Sequence, residues 1–465
     1  MVIALIVACA FFMENLDATI IVTAVPQMAE TFGTTATRMS LGVTAYVLAT
    51  AASIPASGWI ADRVGARNLF CAAIGLFTLA SMACGAAPTF ATFIAARVVQ
   101  GAAAAMMSPV GRLVVLRTAE KRDLMQALST LVWPALFAPV IGPPLGGLLT
   151  SAASWRWIFF VNLPLGIAGM ALVLAFIPNE KTTERTTFDL PGFILMAAAL
   201  AALTYGIDAI GAHEIDVPLS ASLLATAVVI GFLAVRHLRA VPNPVVRLQA
   251  LRLRTFFVGS ISGGSISRAA ISATPFLLPL MFQVGYGLSP VASGLLLLIY
   301  MTANLAMKAI TNPILRRFGM RSVLVCNGAV ASIGIAACAC ISPALPLAVS
   351  ALILLLAGAS RSMQFTALTF VSFADITPEE RGSASVLFSL TQQISMGMGV
   401  AVGALMLNFS RVLREASSLA LHDFRVAFAL AGLLSATALF SYVRLDADSG
   451  AEISGHTGEA RKRLG

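Results

Sequence analysis

Two short stretches decide the fold: Asp62-Arg63-Val64-Gly65-Ala66-Arg67 and Arg316-Arg317-Phe318-Gly319-Met320-Arg321. Gly65 aligns with Gly319, Arg63 with Arg317 and Arg67 with Arg321. Each stretch is a charged loop between two long apolar runs. A loop repeated in this way, with its flanking runs, points to two parallel six-helix halves in a membrane. Composition agrees. The 465 residues are 58% hydrophobic and 11% charged, with a mean hydropathy of +0.89. A soluble protein carries about 25% charged residues, so a soluble enzyme of this length is excluded. Disorder and a disulfide-dense secreted scaffold fail on the same numbers.

Outward from the loops, apolar windows bounded by charges, Pro and Gly number fourteen. They lie at about 2–25, 40–60, 69–87, 91–114, 125–150, 157–177, 191–211, 218–236, 256–281, 290–312, 321–341, 344–370, 384–408 and 424–443. The eleventh and twelfth are divided at the Ser342–Pro346 break. The expected fold is an all-α membrane protein. Residues 1–180 form a first six-helix half, 181–255 an inserted helix pair with linkers, 256–445 a second half and 446–465 a polar cytoplasmic tail. The N-terminal apolar run lacks a basic n-region and reads as a first span rather than a removable signal peptide.

Charge placement sets orientation. With both termini inside, the cytoplasmic loops and tail hold 21 of the 30 basic residues, Arg112, Arg117, Lys121, Arg122, Lys181, Arg185, Arg381, Arg461, Lys462 and Arg463 among them. Five face outward: Arg38, Arg156, Arg411, Arg414 and Arg425. The bias follows the positive-inside rule. The net charge of +9 is thus a cytoplasmic rim, and no nucleic-acid partner is expected. Cys9, Cys71, Cys84, Cys326, Cys338 and Cys340 lack metal-ligand spacing and read as small buried apolar residues. His213, His237, His422 and His456 fall outside span centres, and no metal is expected. No GxxxxGK[ST] phosphate loop is present, which argues against ATP-driven pumping.

The informative charges lie inside spans, where each is costly and normally faces a cavity or a partner. Glu14 and Asp17 stand three apart, on one face of the first helix. They read either as proton or substrate couplers or as structural partners of a basic residue elsewhere. Arg97 opens a stripe through Gly101, Ala104, Ser108 and Arg112. Arginine keeps its charge, so Arg97 is a fixed cation beside Asp17 or Glu14 rather than a proton carrier. The fifth span carries Pro134, Pro139, Pro143 and Pro144 with Gly142, Gly146 and Gly147, residues that bend a helix or let helices approach. Gly399 and Gly403 repeat that spacing in the thirteenth span, beside Gln392 and Gln393, candidate cavity groups. The second half also holds Arg268 at mid-span, Arg361 next to Gln364, and Lys308 near a cytoplasmic end; Asp208 sits near the outer interface.

Several motifs resemble one family. Leu16-Asp17-Ala18-Thr19-Ile20 leading to Pro26 is similar to the first-helix motif of fourteen-span drug:proton antiporters of the major facilitator superfamily. Gly58 through Arg67 resembles the superfamily's cytoplasmic loop, Arg97-Val98-Val99-Gln100-Gly101 its fourth-helix motif, and Gly142-Pro143-Pro144-Leu145-Gly146-Gly147 its antiporter motif. Trp155-Arg156-Trp157-Ile158-Phe159-Phe160-Val161-Asn162-Leu163-Pro164 looks like the sixth-helix start of the EmrB/QacA group. Met106-Met107-Ser108-Pro109-Val110-Gly111-Arg112 and Met307-Lys308 look like the MdtD-like branch. The chain departs at Val22, where the family usually has Asn, and at Ala66, where it usually has a basic residue.

The resemblance implies a transporter, not an enzyme: proton-coupled efflux of drugs or metabolites across a bacterial inner (plasma) membrane. It implies a coupling role for Arg97 and Gln100 and a gating latch at Gly58, Asp62, Arg63, Gly65 and Arg67. Energy would come from the proton gradient, with no cofactor. Partners would be membrane lipids, a small-molecule substrate, protons and, by analogy, a periplasmic adaptor with an outer-membrane channel. Two rivals remain. Arg268 and Arg361 motivate an exporter of organic anions or metal-chelating carboxylates; a non-transporting membrane sensor would keep the fold without flux.

Overall fold

The computed structural model describes residues 2–118, 124–178, 187–211, 217–377, 380–416, 418–446 and 449–450. The side chains of Arg117, Pro134, Asp208 and Arg381, and the whole of Lys121, Arg122, Lys181, Arg185, His213, His456, Arg461, Lys462 and Arg463, lie outside the described residues.

Apolar runs at membrane depth must satisfy their own backbone donors and acceptors, and helices do so within one segment. The long helices are α1 (Val2–Ile20), α2 (Ser40–Val64), α3 (Ala66–Ala86), α4 (Phe90–Thr118), α5 (Leu124–Ala152), α6 (Asn162–Phe176) and α7 (Leu190–Gly211). They continue with α8 (Val217–Ala240), α9 (Ser262–Leu280), α10 (Pro290–Phe318), α11 (Met320–Ala337), α12 (Leu347–Ser372), α13 (Arg381–Leu413) and α14 (Leu421–Thr437). No strand occurs among the described residues. Among the described residues twelve stretches are long and apolar enough to cross a membrane. The other two predicted spans fall on α5, 29 residues long, and on α7, whose part Leu190–Gly206 is a shorter apolar helix.

Several boundaries differ from expectation. The predicted ninth span, 256–281, falls on a stretch that runs Arg254–Gly285, and the predicted tenth, 290–312, on one that runs Pro290–Phe318. Lys308 therefore lies about three turns from its helix end and is exposed, not close to that end. Cys9, Cys326 and Cys340 are exposed and Cys71 is half-buried; only Cys84 and Cys338 are buried as expected. An apolar thiol on a membrane-spanning helix needs no protein cover.

The chain divides into two compact units: Met1–Val246 with Ser289–Gly294, and Arg247–Leu288 with Leu295–Gly465. The helix pair α7–α8 belongs to the first, where α7 packs along α2. Each unit repeats the same devices. Gly65 ends α2 at φ 94° and Gly319 ends α10 at φ 75°, backbone that favours glycine. A Cβ on Gly101 of α4 would collide with the Tyr46 carbonyl oxygen and press on Ala49; one on Gly358 of α12 would collide with that of Tyr300 and press on Ala303. The internal repeat legible in the two charged loops thus extends to how the helices touch.

Candidate functional site

The site in the first unit is built on α1, which brings Asp17 inward, and α4, whose residues three apart share a face. The Arg97 guanidinium donates to Asp17 Oδ2 at 2.7 Å, to Gln100 Oε1 at 2.6 Å and to the Gly42 carbonyl at 3.0 Å. Asp17 Oδ1 accepts from Gln100 Nε2 at 2.8 Å and from Asn162 Nδ2 at 2.9 Å. Asn162 also donates to Ser81 Oγ at 3.0 Å, which donates to the Phe159 carbonyl at 2.9 Å. The Tyr46 ring lies 4.3 Å beneath the guanidinium carbon. Arg97, Gln100 and Asn162 are 0% exposed and Asp17 1%. The charges pair inside one buried cluster that spans α1, α2, α3, α4 and α6, while Arg97 Nη2, Asn162 Oδ1 and the Tyr46 hydroxyl have no hydrogen-bond partner among the described residues.

Glu14 is separate from this cluster despite sharing its helix face. It is half-buried and accepts a hydrogen bond of 2.6 Å from Ser108. The two carboxylates thus have different partners, and Arg97 chooses Asp17. The predicted stripe on α4 holds: Arg97, Gly101 and Ala104 are buried, Ser108 meets Glu14, and Arg112 emerges exposed, 5.9 Å from the Phe11 ring. In the fifth-span motif Gly142 packs on Thr19 and Gly146 on the Ile20 carbonyl. Pro143 and Gly147 are buried, and Pro144 is half-buried.

The loop motif carries an aromatic stack. Arg63 lies 4.4 Å over Trp59, which meets Phe188 at 4.8 Å, which in turn meets Phe193 of α7 at 5.6 Å. Gly58 faces open space. Asp62 and Arg67 are half-buried, and Arg67 Nε reaches Asn68 Oδ1 only at 3.5 Å. Next to this stack Asp189 accepts from Gly192 N–H at 3.0 Å, from Val245 N–H at 3.2 Å and faces His237 Nε2 at 2.7 Å. Burial pushes the Asp189 carboxyl upward, but these hydrogen bonds outweigh it and hold it below its ordinary value.

Among the described residues the second unit shows no equivalent cluster. Arg268 is 0% exposed, and neither terminal nitrogen has a hydrogen-bond partner among the described residues. The Phe388 ring lies 4.9 Å from it. Asp423, the buried acid of this unit among the described residues, is spent at the end of α13. It accepts from Arg414 Nε at 2.9 Å, Ser410 Oγ at 2.7 Å and Ala420 N–H at 2.8 Å. Gln364 accepts from Asn327 at 2.8 Å, while its neighbour Arg361 stacks 5.2 Å from Phe365. Gln392 and Gln393 are half-buried. Among the described residues no group of three His, Cys, Asp or Glu could hold a metal.

The structure therefore joins Asp17, Arg97 and Gln100, and leaves Glu14 apart from them. Sequence reasoning missed Asn162, Ser81, Tyr46, Asn327, and the Asp189–His237 contact. Asn162 had a signal: a lone amide within the apolar Trp155–Pro164 motif.

A family model described as Major Facilitator Superfamily matches residues 7–400. The chain belongs to the major facilitator superfamily. It is similar to a putative multidrug resistance protein MdtD of Klebsiella pneumoniae, 37% identical over 406 residues, covering 86% of this chain and 85% of that one. A protein of the same name from Serratia proteamaculans is 35% identical over 457 residues, 96% and 93% of the two chains. Among solved structures a D-xylose-proton symporter shares the fold, with a TM-score of 0.70 at 15% identity over 97% of this chain and 98% of that one. As a major facilitator protein, the chain is a multi-span membrane transporter and not an enzyme.

Proposed function

We propose that this transporter is a proton-coupled exporter of small molecules, drugs or metabolites, that works by alternating access in a bacterial inner membrane. The observation that carries this reading is the unlike bonding of the two carboxylates on α1. Asp17 accepts three hydrogen bonds, one from a buried guanidinium. Protonating it would break the ion pair and turn an acceptor into a donor, so Asp17 serves as a fixed counter-charge. Glu14 has the Ser108 hydroxyl, a group that both donates and accepts, so the contact survives protonation. Glu14 is the proton carrier, loaded from outside and unloaded inside. Its charge biases the exchange between two access states.

Fourteen spans with cytoplasmic termini fit this reading, α5 and α7 supplying the two beyond the twelve long apolar stretches. The Gly58–Arg67 loop acts as the latch, and the glycines of α5 allow α1 to shift against it. The transporter needs no bound cofactor and no nucleic acid; a periplasmic adaptor is a partner by analogy. Proteoliposomes with an imposed pH gradient test the assignment. Glu14→Gln is expected to abolish gradient-driven flux while leaving substrate exchange. Gradient-driven flux unchanged in Glu14→Gln would overturn the assignment.

Arg268 favours a second reading, export of organic anions or metal-chelating carboxylates, because its buried guanidinium has no acid partner among the described residues. A binding comparison of cationic dyes with carboxylates, repeated on Arg268→Gln, separates the two.

A further inference from the structure

Beside α7, away from the Asp17–Arg97 cluster, the first unit contains an apolar crevice of about 300 Å³. Its walls come from α2, α4 and α7 and include Ala45, Ala49, Val98, Ala197, Ala201 and Tyr205. It runs from Leu41 to Ser53 along α2 and from Phe193 to Tyr205 along α7. Twelve residues of helix rise about 18 Å, more than half of a hydrocarbon core about 30 Å thick. Small residues four apart, as at Ala45 and Ala49 or at Ala197 and Ala201, ordinarily let two helices close together. Here they leave space instead.

The lining sets the chemistry of the occupant. No charged residue lines the crevice, and its polar side chains are hydroxyls. One of them, Thr204, is spent on the Leu200 carbonyl at 2.7 Å. A charged or strongly polar ligand would lose its hydration there with nothing in return, and an empty apolar space of this size forfeits contacts on every wall. The crevice is half open, and Val98 and Tyr205 on its rim are 43% and 57% exposed. On membrane-spanning helices an apolar rim exposed in this way is open to lipid, and the amphipathic Tyr205 ring, at one end of the crevice, suits headgroup depth.

We propose that this crevice is a binding site for one acyl chain of a membrane phospholipid, which fills the space between α7 and the α2–α4 face. The bound chain sets how firmly the α7–α8 pair follows α2. It lies against Ala49, which itself meets Gly101 one turn beyond Arg97.

Native mass spectrometry of the full chain, stripped of loose lipid by extended detergent washing, tests the site. Wild type is expected to retain one phospholipid per chain. Ala201→Trp fills the crevice and should lower that occupancy at least about tenfold, a weakening of about 1.4 kcal/mol. Val228→Trp, on the exposed α8, which supplies no wall of the crevice, should retain the lipid. Ala197→Phe replaces Ala201→Trp if the latter fails to fold. Equal retention in the crevice-filled variant and wild type overturns the proposal, as does equal loss in Val228→Trp. A wild type free of phospholipid that instead binds an apolar dye at the crevice would make it a substrate site and also overturn the proposal. None of these outcomes depends on proton coupling.

Discussion

The two units differ in what they do with a buried arginine. Arg97 in the first is neutralised by Asp17 and bonded by Gln100 and a backbone carbonyl. Arg268 in the second is as deeply buried but lies against the Phe388 ring, its terminal nitrogens without a hydrogen-bond partner among the described residues, while Asp423 is spent on Arg414. Helix packing is otherwise repeated, down to Gly101 on Tyr46 and Gly358 on Tyr300. The scaffold and the polar chemistry are therefore separable. Duplicated packing sets where helices lie, and the charges that differ set what each unit can do. In the first unit the buried cation has a buried acid; in the second it has none among the described residues.

Five single variants and one double variant break or sharpen this contrast through thermal unfolding of the purified protein. The largest effect is expected from Asp17→Asn, which leaves Arg97 buried and uncompensated at a cost of about 3–5 kcal/mol. Asp17→Asn combined with Arg97→Met should recover part of that loss. Next is Asp189→Asn, at about 1–3 kcal/mol, because three contacts converge on that carboxylate. Its sign with pH follows from the lowered Asp189 value. The contribution is complete above the ordinary carboxylate range, near about 3.9, and is lost as pH falls through the lower folded value. Wild type should lose stability on that acid side, and Asp189→Asn should flatten the slope. Gly65→Ala and Gly319→Ala should each cost about 1–2 kcal/mol through positive φ, and equally if the repeat is true in both units. The smallest effect belongs to Arg268→Met, expected to leave stability unchanged or raised because an unpaired buried cation is removed. A loss matching that of Asp17→Asn would erase the contrast between the units.

Much of the site is legible in the amino-acid sequence alone. Glu14, Asp17 and Arg97 stand out because a charge in a span is rare and costly, and Gln100 stands in the motif with Arg97. Asn162 escapes because an amide in an apolar run costs less and names no partner. The Asp189–His237 clasp escapes because 48 residues separate its halves and neither lies at a span centre. Lys308 misleads for a different reason: the helix outruns its apolar window, so the window's end is not the helix's end.

Hydrophobicity and local backbone geometry act over a few residues. The sequence by itself therefore determined the apolar helices, the repeated loops around Gly65 and Gly319, and the six charges inside spans. Pairing acts across the fold. Only the tertiary structure decided that Arg97 meets Asp17, 80 residues away, that Glu14 turns to Ser108, and that Arg268 is left without an acid. Each depends on which helix faces reach one buried volume, and no local pattern encodes that.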